Sequence, residues 1–168
     1  MYLKKGLIAL LFILTGSFLY AQPGLKIGIQ GGLPVNEVNE EVGVVLGLDA
    51  GYMWALNEAI DLGVTVGFIN GFPEKYHTNQ PLSDLPNIQF APIGGSVRIW
   101  PSNSFSFGVD AGQALGINDG NEGGLYYRPI IGFLMSANTE LNFSYTGIEL
   151  DGKKWNTVTL GVLCTFEL

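Results

Sequence analysis

Eight times along this chain, apolar residues occupy every second position. The final run shows the pattern most fully. Val158, Leu160, Val162, Cys164, Phe166 and Leu168 alternate with Thr157, Thr159, Gly161, Leu163, Thr165 and Glu167. A period of two belongs to a β-strand, whose successive side chains point to opposite faces. The same alternation runs through Leu25–Ile29, Val42–Trp54, Ile60–Phe68, Ala91–Ile99, Phe105–Ala111, Leu125–Met135 and Leu141–Tyr145. After Gln22 there is no helical period of any length, so the fold class is all-β. Pro92 and Pro129 each remove a ladder donor, which predicts a bulge or kink in two of the strands.

The connections narrow the architecture. LPVNEVNEE, NGFPEKYHTNQPLSDLPN, NDGNEGG and IELDGKKWN take turns with the shorter LNEA, PSNS and SAN. Long connections on one side and short ones on the other are the mark of a transmembrane barrel. A tilted membrane strand needs about 9–11 residues, and most runs can supply them. Aromatics gather near the run ends. Trp54, Trp100, Phe105 and Phe166 lie towards the short connections, and Phe68, Phe72, Tyr127, Tyr145 and Trp155 towards the long ones. Two such girdles suit the two membrane interfaces. The expectation is an eight-stranded antiparallel up-and-down transmembrane β-barrel over residues 22–168, with both ends of the barrel on the periplasmic side.

The first 21 residues read differently. Lys4 and Lys5 precede an apolar run from Leu7 to Leu14, and Leu19-Tyr20-Ala21 forms a small-residue cleavage site. This predicts a cleavable signal peptide over 1–21, since the run is shorter than the roughly 20 residues of a membrane helix. Its loss takes the formal charge from −7 to −9, as two lysines leave. Such an acidic chain excludes nucleic acid as a partner, because phosphate contacts need clustered Lys and Arg. Cys164 is the only cysteine, so no intrachain disulfide can form.

Alternation alone also fits a soluble secreted lipocalin-like barrel with an apolar ligand inside. The glycines separate the two readings. Gly28, Gly47, Gly63, Gly108, Gly132 and Gly161 fall on the non-apolar face, where a water-facing wall would carry Lys, Glu and Thr. A glycine-rich face fits a narrow lumen, because eight strands leave room only for packed side chains. The apolar face then points out, to lipid. The lumen charges are Lys26, Asp49, Asp61, Arg98, Asp110 and Arg128, with Glu167 a further candidate. Buried charges must pair, so a plug of two ion-pair layers is expected, Asp61–Arg98 near the periplasmic end and Asp110–Arg128 near the middle. A faint repeat, LGLDAGY (Leu46–Tyr52) and FGVDAGQ (Phe107–Gln113), puts Asp49 and Asp110 at matching mid-strand positions.

The stretches LKIGIQGGLP, GLDAGYMW, FAPIGGSVRIW, FGVDAGQALGINDGNEGG and YYRPIIGF, with the final strand, resemble the small outer-membrane β-barrel domain family, the PorT-like group of short eight-stranded proteins. The resemblance covers most of Leu25–Leu168. It implies residence in the bacterial outer membrane, contact with outer-membrane lipid, and assembly by the barrel-insertion machinery. That machinery reads a terminal strand of alternating apolar residues ending in an aromatic. Here Phe166 is aromatic and the last residue is Leu168. Members mostly have no assigned molecular function, so the resemblance implies no particular activity.

Little in the chain suggests chemistry. Some eight-stranded membrane barrels are lipid-modifying enzymes, and His77 lies in the longest connection with Ser83 and Asp84 nearby. A nucleophile needs a base within hydrogen-bond reach, three residues of one loop rarely provide it, and no GxSxG frame surrounds Ser83. NDGNEGG lacks the spaced acidic ligands of a calcium loop, and Asp119-Gly120 reads more simply as a turn. Glu37, Glu40 and Glu41 read as a solvated face. No enzyme, cofactor or metal is expected. Open channels need roughly 16 strands, so no open pore is expected either. The reading is a small outer-membrane barrel with a structural, adhesive or loop-mediated binding role and an unidentified extracellular ligand.

Overall fold

The computed structural model describes residues 23–35, 42–73 and 87–167. The expected signal peptide, the acidic residues Glu37, Glu40 and Glu41, the trio His77, Ser83 and Asp84, the Glu167 side chain and Leu168 lie outside the described part. Eight strands follow in order: β1 (Pro23–Pro34), β2 (Val42–Asn57), β3 (Ile60–Pro73), β4 (Ile88–Ser102), β5 (Phe105–Gly116), β6 (Gly124–Ser136), β7 (Thr139–Leu150) and β8 (Lys153–Glu167). Each pairs antiparallel with its chain neighbour, and β8 returns to β1 to close the barrel.

The closing register shows why the alternation matters. Ile27 lies opposite Cys164 and Ile29 opposite Val162, all facing out, while Lys26 opposes Thr165 and Gln30 opposes Gly161, facing in. A slip of one residue would exchange the two faces. Closure removes every sheet edge, as an apolar solvent demands. The outer wall is apolar: Ile29 is 63% exposed and Leu48 57%. The strands, at 12 to 16 residues, exceed the bilayer minimum of about 9–11. This is the wall of a transmembrane barrel, and buried charges such as Lys26, Asp110 and Arg128 lie inside it.

Four details depart from expectation. Pro92 and Pro129 make no bulge. The β3–β4 ladder is interrupted between Val66–Ile93 and Ile69–Phe90, and the β6–β7 ladder between Tyr127–Gly147 and Ile130–Ser144, with the register unchanged across both gaps. A missing donor therefore opens the ladder without inserting a residue. The irregularities fall at strand ends instead, between Val42 and Val44, Ala55 and Asn57, Ile99 and Ser102, and Leu134 and Ser136. The first of these turns Val42 inward, so it leaves the apolar outer face and is 2% exposed.

The connection between β7 and β8 is also not long. Glu149 pairs with Lys154 and Leu150 with Lys153, leaving only the turn Asp151-Gly152. Gly152 has φ +78°, a backbone that glycine adopts freely and Asp-Gly turns favour. Long and short connections therefore alternate at three positions and not at the fourth. The last departure is Trp155, expected in the outer aromatic girdle. It lies inside and is fully buried.

Candidate functional site: the closed lumen

Inward-facing positions sort into three levels. At the long-connection end an apolar plug fills the barrel, built from Val42, Val45, Ile69, Phe90, Ala114, Tyr126, Ile148 and Trp155. Phe90 and Trp155 meet edge-on with ring centroids 5.3 Å apart. Gly71 makes room for the indole, since a Cβ there would strike Trp155. The alternation did not announce this plug, because Val45 and Tyr126 sit on the face read as polar and Val42 was read on the outer face.

The middle level is a continuous hydrogen-bonded chain. Ser96 Oγ donates to Asp110 Oδ1 at 2.6 Å, and Arg128 Nη2 and Nε donate to Asp110 Oδ2 at 2.6 and 3.0 Å. Arg128 Nη1 reaches Asp49 Oδ2 at 2.8 Å, and Gln30 Nε2 donates to the same oxygen at 2.9 Å. Thr159 Oγ1 donates to Gln30 Oε1 at 2.8 Å and shares a 2.7 Å bond with Ser144 Oγ. The chain draws on every strand except β3. On β3, Gly67 leaves the space that Asp49 and Pro92 fill. Both carboxylates and the guanidinium are thus paired, which buried charges require.

The lower level lies towards the short turns. Lys26 Nζ is 4.0 Å from Glu140 Oε2 and stands 5.5 Å from the centre of the Trp100 ring. Trp100 Nε1 donates to Asp61 Oδ2 at 2.8 Å. Asp61 takes this bond in place of the expected one from Arg98, although the two are register partners. Arg98 Nε and Nη1 meet no acceptor among the described residues. Gly108 and Gly132 stand where the Arg98 and Glu140 side chains pass, and a Cβ at either would collide with them. Trp100, expected only as an interface aromatic, shares the inward parity of Arg98 and touches both Asp61 and Lys26.

All six charges named from the sequence therefore face the lumen. Asp49, Asp110 and Arg128 come together, Lys26 approaches Glu140, and Asp61 and Arg98 stand apart from each other in bonding. Glu140 was missed, although it is 1% exposed. It sits one residue before the apolar run that starts at Leu141, so extending the parity back by one would have found it. The other candidate chemistry dissolves into structure where it is described. In NDGNEGG, Asn118 Oδ1 accepts from Gln89 N, Asn121 Nδ2 donates to Gln89 O, and Asn121 Oδ1 accepts from Gly123 N. These side chains tie the β5–β6 connection to β4. Among the described residues no group of three or more His, Cys, Asp or Glu could hold a metal ion.

No known protein-family profile matches the chain, and no curated protein matches it. Solved structures do. The chain is similar to the outer-membrane protein Ail of Yersinia pestis in a phospholipid bilayer nanodisc, with 16% identity over 87% of this chain and 99% of that one, at a TM-score of 0.59. It is similar to the N-terminal β-barrel domain of Pseudomonas aeruginosa OprF, with 16% identity over 87% and 99%, at 0.51. A de novo designed transmembrane β-barrel matches with 17% identity over 85% and 95%, at 0.54. The fold is that of the small eight-stranded bacterial outer-membrane β-barrels. With its apolar outer wall, that fold makes the protein a transmembrane protein of the outer membrane.

Proposed function

We propose that this protein is a non-conducting outer-membrane barrel whose work is done by its wall and its external connections, in a structural, adhesive or loop-mediated binding role. One observation carries the reading: the lumen is filled at every level, by the apolar plug, the Arg128 network and the lower charged layer. Narrow barrels of eight strands are packed in this way, and open pores have many more. The six charges Lys26, Asp49, Asp61, Arg98, Asp110 and Arg128, together with Glu140, serve as the internal plug. The stretches from LKIGIQGGLP to the final strand support the narrower PorT-like assignment. The assembly partner is the barrel-insertion machinery, and the surrounding partner is outer-membrane lipid.

The reading is tested in two steps. Envelope fractionation followed by a detergent gel of unheated and boiled samples should place the protein in the outer membrane with a mobility shift on boiling. The purified barrel in planar bilayers should then give no conductance steps. Discrete openings, or passage of small sugars into liposomes, would overturn it. Complementation of a deletion strain with a variant lacking 74–86 assigns the role. Full rescue means that the wall acts, and loss of rescue by a folded barrel means that the connection acts.

A further inference from the structure

We propose that the lumen binds one ordered water molecule against the Arg98 guanidinium, and that this water joins the lower charged layer to the middle network. A small chamber of about 20 Å³ lies between the two levels, bordered by Lys26, Thr65, Ser96, Arg98, Asp110 and Arg128. One water needs roughly 10–15 Å³ of such space. The chamber therefore has room for one water.

The chemistry of its wall matches that occupant. Arg98 is 4% exposed, and its Nε and Nη1 hydrogens meet no acceptor among the described residues. A buried donor without an acceptor is costly, the more so when charged, so a polar occupant is favoured there. Arg98 makes no bond to its register partner Asp61, whose Oδ2 accepts from Trp100 Nε1. Acceptors remain in the chamber wall. Ser96 Oγ spends its hydrogen on Asp110 and Thr65 Oγ1 spends its own on the Ala50 carbonyl, so both keep lone pairs facing other donors. A water that accepts from Arg98 and donates to two of these oxygens makes three hydrogen bonds, the usual number for a buried water. The result is one polar network from Ser144 on β7 through Arg128 to Arg98, ending beneath the dry apolar plug.

The chain has only two arginines, Arg98 and Arg128, which makes the test simple. In isotope-labelled barrel folded in detergent micelles, two Nε–H resonances are expected. Arg128 Nε is bonded to Asp110 and serves as the reference for a donor with a protein acceptor. Arg98 Nε–H should show a cross-peak to a long-lived water, and the signal should vanish in R98K. Should R98K not fold, a high-resolution crystal structure of the unmodified barrel replaces it, with solvent density expected within hydrogen-bond distance of Arg98 Nε. The absence of both cross-peak and density, or a direct Arg98–Asp61 ion pair, would overturn the proposal.

Discussion

Arg128 on β6 and Asp49 on β2 meet across the full width of the barrel, with Nη1 2.8 Å from Oδ2. The two strands are four apart in either direction around a ring of eight, so they are opposite walls. Asp110, on the strand next to Arg128, holds the same guanidinium from the side at 2.6 Å. The two carboxylates come from the two copies of the weak repeat, LGLDAGY and FGVDAGQ. A feature that looked like a record of duplication is thus a pair of jaws closing on one cation. The surplus negative charge is shared out to Ser96 and Gln30, each of which donates a hydrogen bond to one of the carboxylates.

Removing that cation should be costly. Arg128→Met leaves two carboxylates facing each other in a closed lumen, and breaking a buried pair in this way costs about 3–5 kcal/mol. Urea titration of the barrel in lipid vesicles should show the midpoint fall accordingly. The triple variant D49N/D110N/R128M should recover much of the loss, because it removes the stranded charges as well. A triple variant as unstable as the sum of its parts would mean that the network's worth lies in its hydrogen bonds and not in charge balance.

The apolar plug makes a separate prediction. Trp155 is fully buried and packed against Phe90, so Trp155→Ala should cost about 3–5 kcal/mol through lost burial and the cavity left behind. Gly71→Ala pushes a methyl group into the same indole and should cost about 1–3 kcal/mol by overpacking. Both are read from the temperature at which the unheated gel mobility is lost. If Gly71→Ala is silent, the indole has room to move and the plug is looser than described.

The outer wall should report its depth. Val64 is 52% exposed near the middle of β3. An arginine there would face the bilayer core and cost about 2–4 kcal/mol. Asp119→Arg, on the exposed β5–β6 connection, should change stability by less than about 0.5 kcal/mol. Equal effects of the two substitutions in vesicles would mean that Val64 does not meet lipid.

The strands and their facing were legible because a period of two survives any tertiary arrangement that keeps one face in lipid. Lumen charges such as Asp110 and Arg128 were legible for the same reason, since a charge on the non-apolar face can only point inward. What parity cannot supply is partner choice. Asp61 and Arg98 are register partners, yet the Trp100 indole takes the carboxylate. Parity also fails where a strand end shifts register, which hid the inward turn of Val42. Composition misled at Trp155, because an aromatic near a strand end fits a girdle or a plug equally well. IELDGKKWN looked like a loop because of its charges, yet Glu149 and Lys154 are cross-strand partners that continue the ladder.

Glu140 supplies the last prediction, since its carboxylate is buried and its ion-pair partner among the described residues is Lys26, Nζ to Oε2 at 4.0 Å. Ser106 Oγ stands across the gap left by Gly132 from Glu140, fully buried. Lys26→Met should therefore leave Glu140 as an unpaired buried acid and cost about 3–5 kcal/mol. Adding Glu140→Met should restore most of that stability, because two apolar side chains of similar length replace a long and imperfect pair. Vesicle unfolding of the two single variants and the double one gives the coupling directly. A coupling near zero would mean that Lys26 is held by the Trp100 ring and not by Glu140, and that the lower layer is braced by that ring.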